Sequence, residues 1–418
     1  MLRLQLGLFA ATAATSPVSI FAAQAFFGLG LGVYLLRLAR GETTRSQLAL
    51  DGPLLAFAVW TLLSAAFSPD PLASHQAAKK LVLFALFYLA VDSCTDRRAR
   101  EGVVDAALLG TLALSLESLV QFFFLGYDSL SRRPQGFLGH YMTAAGVEAT
   151  GLVLAAAYLA FFPRVARPQR RDLAPVALLV VAIVVLGLLE RASPAVLPRR
   201  LFVAALGLAG AFLMLRVPAA RGMAGPVLAC ATALFSTWAL VLSQTRNAWL
   251  GAVFGLAAVI VFRAPRALWL LGAGLVVLLA SRPERIVARL TFSDASSVDR
   301  YFMWQAGVDM VLDRPVFGQG PGMILRTYPS YRWEGAPNPQ QPHLHDNLLQ
   351  VAAERGLPAL AFWVWMMAVL LGKALAEARA GGRRGFEGPA AFAVLTTLLV
   401  AGIFEYNFGD SEVLMFAL

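Results

Sequence analysis

Charge is scarce in this sequence. Only 14% of its 418 residues are Asp, Glu, Lys or Arg, against about 25% in a typical soluble domain, which excludes an ordinary water-soluble fold. Cysteine is nearly absent. Cys94 and Cys230 fall at or within apolar runs without CxxC spacing, so no disulfide framework is expected and both read as packing residues. The short alternating segments of a transmembrane β-barrel are missing too, as is any internal repeat of about 20–50 residues. No small-residue cleavage site follows Arg3 and the first apolar run, which therefore reads as a retained first helix.

Apolar length fills the rest. Of the chain, 58% is hydrophobic and the mean hydropathy is +0.66. Apolar runs cover 4–15, 18–36, 53–67, 78–94, 102–125, 140–162, 174–189, 200–215, 226–243, 247–262, 266–281, 347–371 and 389–408. Many approach the roughly 20 residues that cross a hydrocarbon core. The expected fold is an all-α polytopic membrane bundle of about 12–14 spans with one long external loop bearing short helices. The chain divides into an N-terminal bundle over 1–281, a long loop over 282–346 and C-terminal helices over 347–418. Ser16-Pro17 makes the first two runs either a hairpin or one broken helix. Val413–Leu418 look like the start of one more span.

The net charge of +10 is explained by loops rather than by nucleic acid. Basic residues at Arg37/Arg40/Arg45, Arg97/Arg98/Arg100, Arg164/Arg167/Arg170/Arg171, Arg216/Arg221, Arg263/Arg266 and Lys373/Arg379/Arg383/Arg384 occupy every second loop, which the positive-inside rule makes cytoplasmic. The loops at 68–76, 126–139, 190–200, 243–247 and 282–346 then face the other side.

Chemistry-bearing residues concentrate on that other side. Arg246, in the short turn between two runs, is either a snorkelling residue or a fixed cation for a lipid-linked phosphate. Ser297 or Asp299 could cap an amphipathic helix opening at Arg300, with Tyr301, Trp304, Val308 and Val311 on its apolar face and its end at Asp313-Arg-Pro315. Gly318-Gln-Gly-Pro-Gly322 lacks the Lys-Ser/Thr of a nucleotide loop and reads as a sharp turn. Arg132 and Arg133, followed by His140 and Tyr141, form a second basic cluster that is either a phosphate contact or a solvated loop. His343 and His345 could bind metal, but with no third ligand at typical spacing a general base is the better reading, oriented by Asp346 or Glu354.

Pro342-His-Leu-His-Asp-Asn-Leu-Leu-Gln-Val-Ala-Ala-Glu-Arg-Gly-Leu-Pro358 resembles the signature of the O-antigen ligase and polymerase superfamily. Arg300…Trp304…Asp313-Arg-Pro315…Gly318-Gln-Gly-Pro-Gly322 is similar to that family's loop, and Ser243-Gln-Thr-Arg-Asn-Ala-Trp-Leu-Gly251 to its preceding element. The resemblance implies an inverting, metal-independent, GT-C-like glycosyltransferase of the bacterial inner membrane, working at the periplasmic face without a cofactor. Its donor would be a glycan on undecaprenyl diphosphate and its acceptor a sugar hydroxyl of lipid A–core. His345, Arg246 and Arg300 match the family's essential residues. His343, Arg132, Arg133, Asn347 and Trp304 are candidate substrate contacts. Asp346 and Asn247 depart from the family's usual Asn and Gly. Three other readings stay open: a polymerase joining lipid-linked repeat units, a protein O-oligosaccharyltransferase, and a transporter or flippase, for which Glu117 and Glu148 inside apolar runs speak. The oligomeric state, the glycan and the acceptor are not read from the sequence.

Overall fold

The computed structural model describes residues 1–161, 224–269, 272–273, 295–380 and 385–417. The runs at 174–189 and 200–215, the 281/282 boundary, the opening of the long loop, the 190–200 loop, and the basic residues Arg164–Arg171, Arg216, Arg221, Arg383 and Arg384 lie outside the described residues.

The protein is all-α. Among the described residues there is no strand, and six helices are long and apolar enough to cross a membrane. The first two runs are separate helices, α1 (Leu2–Thr15) and α2 (Ile20–Ala39), packed against one another. The Ser19 hydroxyl caps α2 by accepting from the Ala22 N–H, so Ser16–Ser19 is a hairpin turn. Helices α3 (Asp51–Ala66), α4 (Pro71–Ala78) and α5 (Ala85–Ser93) follow, with a 3-10 turn at Lys79–Phe84 splitting the apolar run over 78–94. Arg37, counted among the topogenic arginines, is buried at the end of α2, where it pairs with Asp92 and donates to Gln5.

Two helices form the centre of the bundle. These are α6 (Arg97–Phe124) and α7 (Tyr141–Phe161), whose apolar windows are 78% and 67% buried, while the other long helices bury 22–39%. Around α7 pack α8 (Ala224–Leu242), α9 (Arg246–Arg263) and α13 (Glu387–Ala401). Glu148 accepts from the Ser118 hydroxyl and Glu117 from the Gln121 amide, so both carboxylates are tied to neighbouring side chains in this core. Of the two free cysteines, Cys94 is half-buried as a packing residue would be, but Cys230 lies exposed on α8.

The polar loop is folded onto the bundle by α10 (Ala295–Asp313), α11 (Ile324–Tyr331) and the start of α12 (Asn347–Arg379). Helix α10 ends where Asp313-Arg-Pro315 requires, but Ser297 and Asp299 lie inside it and do not cap it. Its buried face also differs from the expected one. Met303, Ala306 and Met310 pack inward, while Tyr301 and Val308 are exposed. The apolar residues of α10 are more numerous than one face can hold, and the residues with flexible or small side chains take the tight inner face.

Gly318-Gln-Gly-Pro-Gly322 is a turn, with positive φ at all three glycines, and it completes a broken helix. Pro358 has no N–H for the Glu354 carbonyl, and Gly356 (φ 80°) leaves the helical path. The Leu357 N–H bonds to the Pro315 carbonyl at 2.8 Å, leaving the Ala353 carbonyl free as well. The Gln319 and Gly320 N–H groups satisfy the Ala353 and Glu354 carbonyls at 2.8 and 2.7 Å, and Gly322 N–H reaches the Glu354 carboxylate at 3.0 Å. The last described helix is α14 (Ser411–Ala417), after a 3-10 turn at Asn407–Gly409.

Candidate functional site

Three arginines from distant parts of the chain line one small pocket. Arg133 comes from the α6–α7 loop, Arg246 from the first turn of α9, and Arg300 from α10; Tyr141, Asn247, Ser296 and Phe404 share its wall. Gln244, in the left-handed region at φ 52°, makes the sharp turn that brings Arg246 to the head of α9. There Arg246 donates to the Ser297 hydroxyl at 3.0 Å, and Arg300 donates to the Ser296 hydroxyl at 3.2 Å. The start of a helix carries partial positive charge and outward N–H groups. Three guanidinium groups gathered there repel one another, and an anion held among them is stabilised by all of them and by the helix.

Arg132 and Arg133, adjacent in sequence, part company. Arg133 stands over the Tyr141 ring at 4.0 Å inside the pocket wall, whereas Arg132 stacks on Tyr127 at 4.2 Å and is absent from the lining. Of the two arginines, Arg133 is the one in the pocket lining, and Arg132 is a stacked loop residue outside it.

The imidazoles are outside this lining and are held by one carboxylate, whose chain neighbour Phe404 is part of it. Glu405, in the segment after α13, accepts from His345 Nδ1 at 2.8 Å and lies 3.2 Å from His343 Nε2. Its side chain is 5% exposed. Burial alone would raise the Glu405 carboxyl, but the charge and hydrogen bonds of the two imidazoles hold it well below the ordinary carboxylate range. His345 itself is in the left-handed region at φ 51°, a conformation uncommon for a non-glycine residue and held here by its surroundings. With Nδ1 tied to Glu405, Nε2 is the ring nitrogen left for a substrate proton.

Neither carboxylate expected to orient the imidazole does so. Asp346 caps α12, accepting from the Leu349 N–H at 2.7 Å, and burial pushes its carboxyl up. Glu354 accepts from Gln350, Gly322 and Arg355 beneath the site. Glu405 went unremarked because it is distant in sequence, yet it carried a usable signal, being an acidic residue inside the apolar run over 389–408.

Asn347 is held by its neighbours. Its amide donates to Asn407 at 2.7 Å and accepts from the Phe408 N–H at 3.1 Å, so it fastens the segment after Glu405 to α12. Trp304 sits nearer the site, its ring 6.2 Å from that of Phe404. The His140 pKa is pushed down, first by desolvation and then by His343, His345 and Arg133, with Glu405 opposing.

One nitrogen of each histidine and one oxygen of Glu405 lie within 4.8 Å of one another. These three side chains could hold a metal ion, a third ligand that sequence spacing did not disclose. In the structure the two imidazoles each hydrogen-bond a different oxygen of the Glu405 carboxylate, and a metal bound there would compete with those bonds. The arrangement can equally take a proton from a hydroxyl at His345 and stabilise the resulting imidazolium with Glu405.

Residues 231–364 match the model of the O-Antigen ligase family, which supports the resemblance to the ligase and polymerase superfamily. The matched segment contains Arg246, Arg300, His343 and His345; Arg133 and Glu405 fall outside it. The family is one of ligase- or polymerase-type function, and the match suggests a membrane glycosyltransferase-like enzyme. No curated protein matches the chain.

Proposed function

We propose that this protein is an O-antigen ligase: it moves a glycan from undecaprenyl diphosphate to a sugar hydroxyl of lipid A–core, at the periplasmic face of a bacterial inner membrane. The observation that carries the reading is the adjacency of Phe404 and Glu405. Phe404 lines the arginine pocket, and Glu405, one residue on, holds His345. Consecutive Cα atoms are about 3.8 Å apart, so the wall of the arginine pocket and the carboxylate that holds His345 come from adjacent residues. A sugar diphosphate needs an anion-binding group and a proton acceptor at its reacting carbon.

In this mechanism the acceptor hydroxyl oxygen attacks C1 of the donor sugar from the face opposite the diphosphate. The C1–O bond to the diphosphate breaks and its electron pair leaves with undecaprenyl diphosphate, inverting the carbon. His345 Nε2 takes the hydroxyl proton, and the buried Glu405 carboxylate stabilises the imidazolium. Arg246, Arg300 and Arg133 stabilise the charge that grows on the leaving diphosphate. His343 shares Glu405 and fixes its second oxygen.

The test supplies purified protein with undecaprenyl-diphosphate-linked glycan, with lipid A–core present or omitted. Product on lipid A–core supports the ligase. Longer lipid-linked glycan without that acceptor would make the protein a polymerase. Absence of both products from folded protein overturns the reading and leaves the protein-acceptor or transporter alternatives.

A further inference from the structure

The α6–α7 loop reaches the pocket on a fastening that the proposed chemistry leaves unused. Gln121, on α6 one turn before its end, is 5% exposed, and all of its amide's hydrogen-bonding positions are engaged. Its Oε1 accepts from the Gln135 and Gly136 N–H groups, each at 2.9 Å. Its Nε2 donates to the Gly136 carbonyl at 2.8 Å and to Glu117 Oε1 at 3.1 Å. The glutamine thus pairs with the backbone of a dipeptide much as a neighbouring strand would. Gly136 has φ 51°, and a Cβ there would come within 2.3 Å of Leu114 Cδ1, so the loop is seated directly on the helix. Phe137 and Pro134 are buried on either side of the clamped pair.

Arg133 immediately precedes this seated segment. Pro134 fixes its own φ and restricts the residue before it, so little freedom separates the clamp from the Arg133 backbone. The guanidinium then rests on Tyr141 and lines the pocket with Arg246 and Arg300. Arg132, one residue further from the clamp, is outside the lining. We infer that Gln121 is a positioning residue for anion binding: by clamping Gln135–Gly136 it holds Arg133 in the pocket where the donor diphosphate binds.

This inference rests on the proposed diphosphate site, and the test separates the two. Purified wild-type protein, Arg246→Ala, Arg133→Ala, Gln121→Leu and Gln121→Leu/Arg133→Ala are titrated with inorganic pyrophosphate by calorimetry in detergent. The expected result is binding by wild type, weakened by Arg246→Ala and by Arg133→Ala. Gln121→Leu is expected to weaken it roughly 3–10-fold, and to have no further effect once Arg133 is removed, because residues acting through one another are not additive. In transfer assays Gln121→Leu should raise KM for the lipid-linked donor with little change in kcat, the pattern of lost binding. Gln121→Met keeps much of the side-chain volume without charge, loses all four bonds and should match Gln121→Leu; it carries the test if Gln121→Leu does not fold. Failure of wild type to bind pyrophosphate, or indifference to Arg246→Ala, overturns the site and the inference with it. Binding that depends on Arg133 but ignores Gln121, or a Gln121 effect that persists in full without Arg133, overturns the inference alone.

Discussion

Single side chains in this protein owe their roles to where burial and charge put them. Asp410 illustrates this. Burial first, and then the nearby Glu405 carboxylate, push its pKa up to about 6, against the Thr143 hydroxyl bonded to it at 3.0 Å. Its ordinary value is 3.8, so the folded state holds the proton more tightly than the unfolded chain. The stability this contributes is full below about pH 3.8 and is lost as pH rises through about 6. Asp410→Asn mimics the protonated form, and Asn can still accept from Thr143. It should therefore raise the Tm in detergent at pH 7.5 and leave it nearly unchanged at pH 4; equal effects at both values would refute the assignment. The two loop arginines give a second comparison. Arg133→Ala should raise KM for the lipid-linked donor several-fold, while Arg132→Ala should change it less than about twofold, as exposed charges usually do.

Elements show which parts of the architecture were legible from the chain. The long apolar helices were, because a membrane imposes a simple length and composition rule. The Gly-rich turn after Asp313 was also legible as a turn, since glycines and a proline are what positive φ and sharp reversal demand. Its use was not. That it supplies N–H groups to a helix broken at Gly356 and Pro358 is a long-range pairing with no local mark. Gly356→Ala tests that junction. A Cβ there would lie 1.9 Å from the Val316 carbonyl oxygen at a backbone φ of 80°. The substitution should destabilise the protein by at least about 2 kcal/mol, read from thermal or denaturant unfolding. The face of α10 was misjudged for a related reason: periodicity locates apolar residues but does not say which stripe a neighbour will cover. Caps were misassigned where Ser297 and Asp299 fell inside the helix, although Asp346, unassigned as a cap, proved to be one.

At the scale of the whole molecule, the site is assembled from loops and helix ends at one end of the bundle. Arg133, Arg246, Arg300 and His345 were each recognisable in sequence, three of them inside the matched segment. Glu405 was marked only as an acidic residue in an apolar run, and its pairing with His345 across 60 positions leaves no spacing signal. The proposed orientation makes a topological prediction. In a background lacking Cys94 and Cys230, cysteines at Ser131 and Glu334, both exposed, should react with a membrane-impermeant maleimide in intact spheroplasts. A cysteine at Arg98, also exposed, should react only after lysis. Labelling of all three, or of Arg98→Cys alone, would reverse or abolish the proposed sidedness.

The central claim is that His345 and Glu405 act as one proton-accepting unit beside an arginine-lined diphosphate site. The most direct measurement is the single-turnover rate of glycan transfer in EDTA for wild type, His345→Ala, Glu405→Ala and the double variant. Wild type is expected to stay active in EDTA, and each single variant to lose activity, His345→Ala by roughly 10²–10⁴-fold. The double variant should be no worse than His345→Ala. Full activity in Glu405→Ala, independent losses that multiply in the double variant, or wild-type activity abolished by EDTA and restored by a metal would contradict the account.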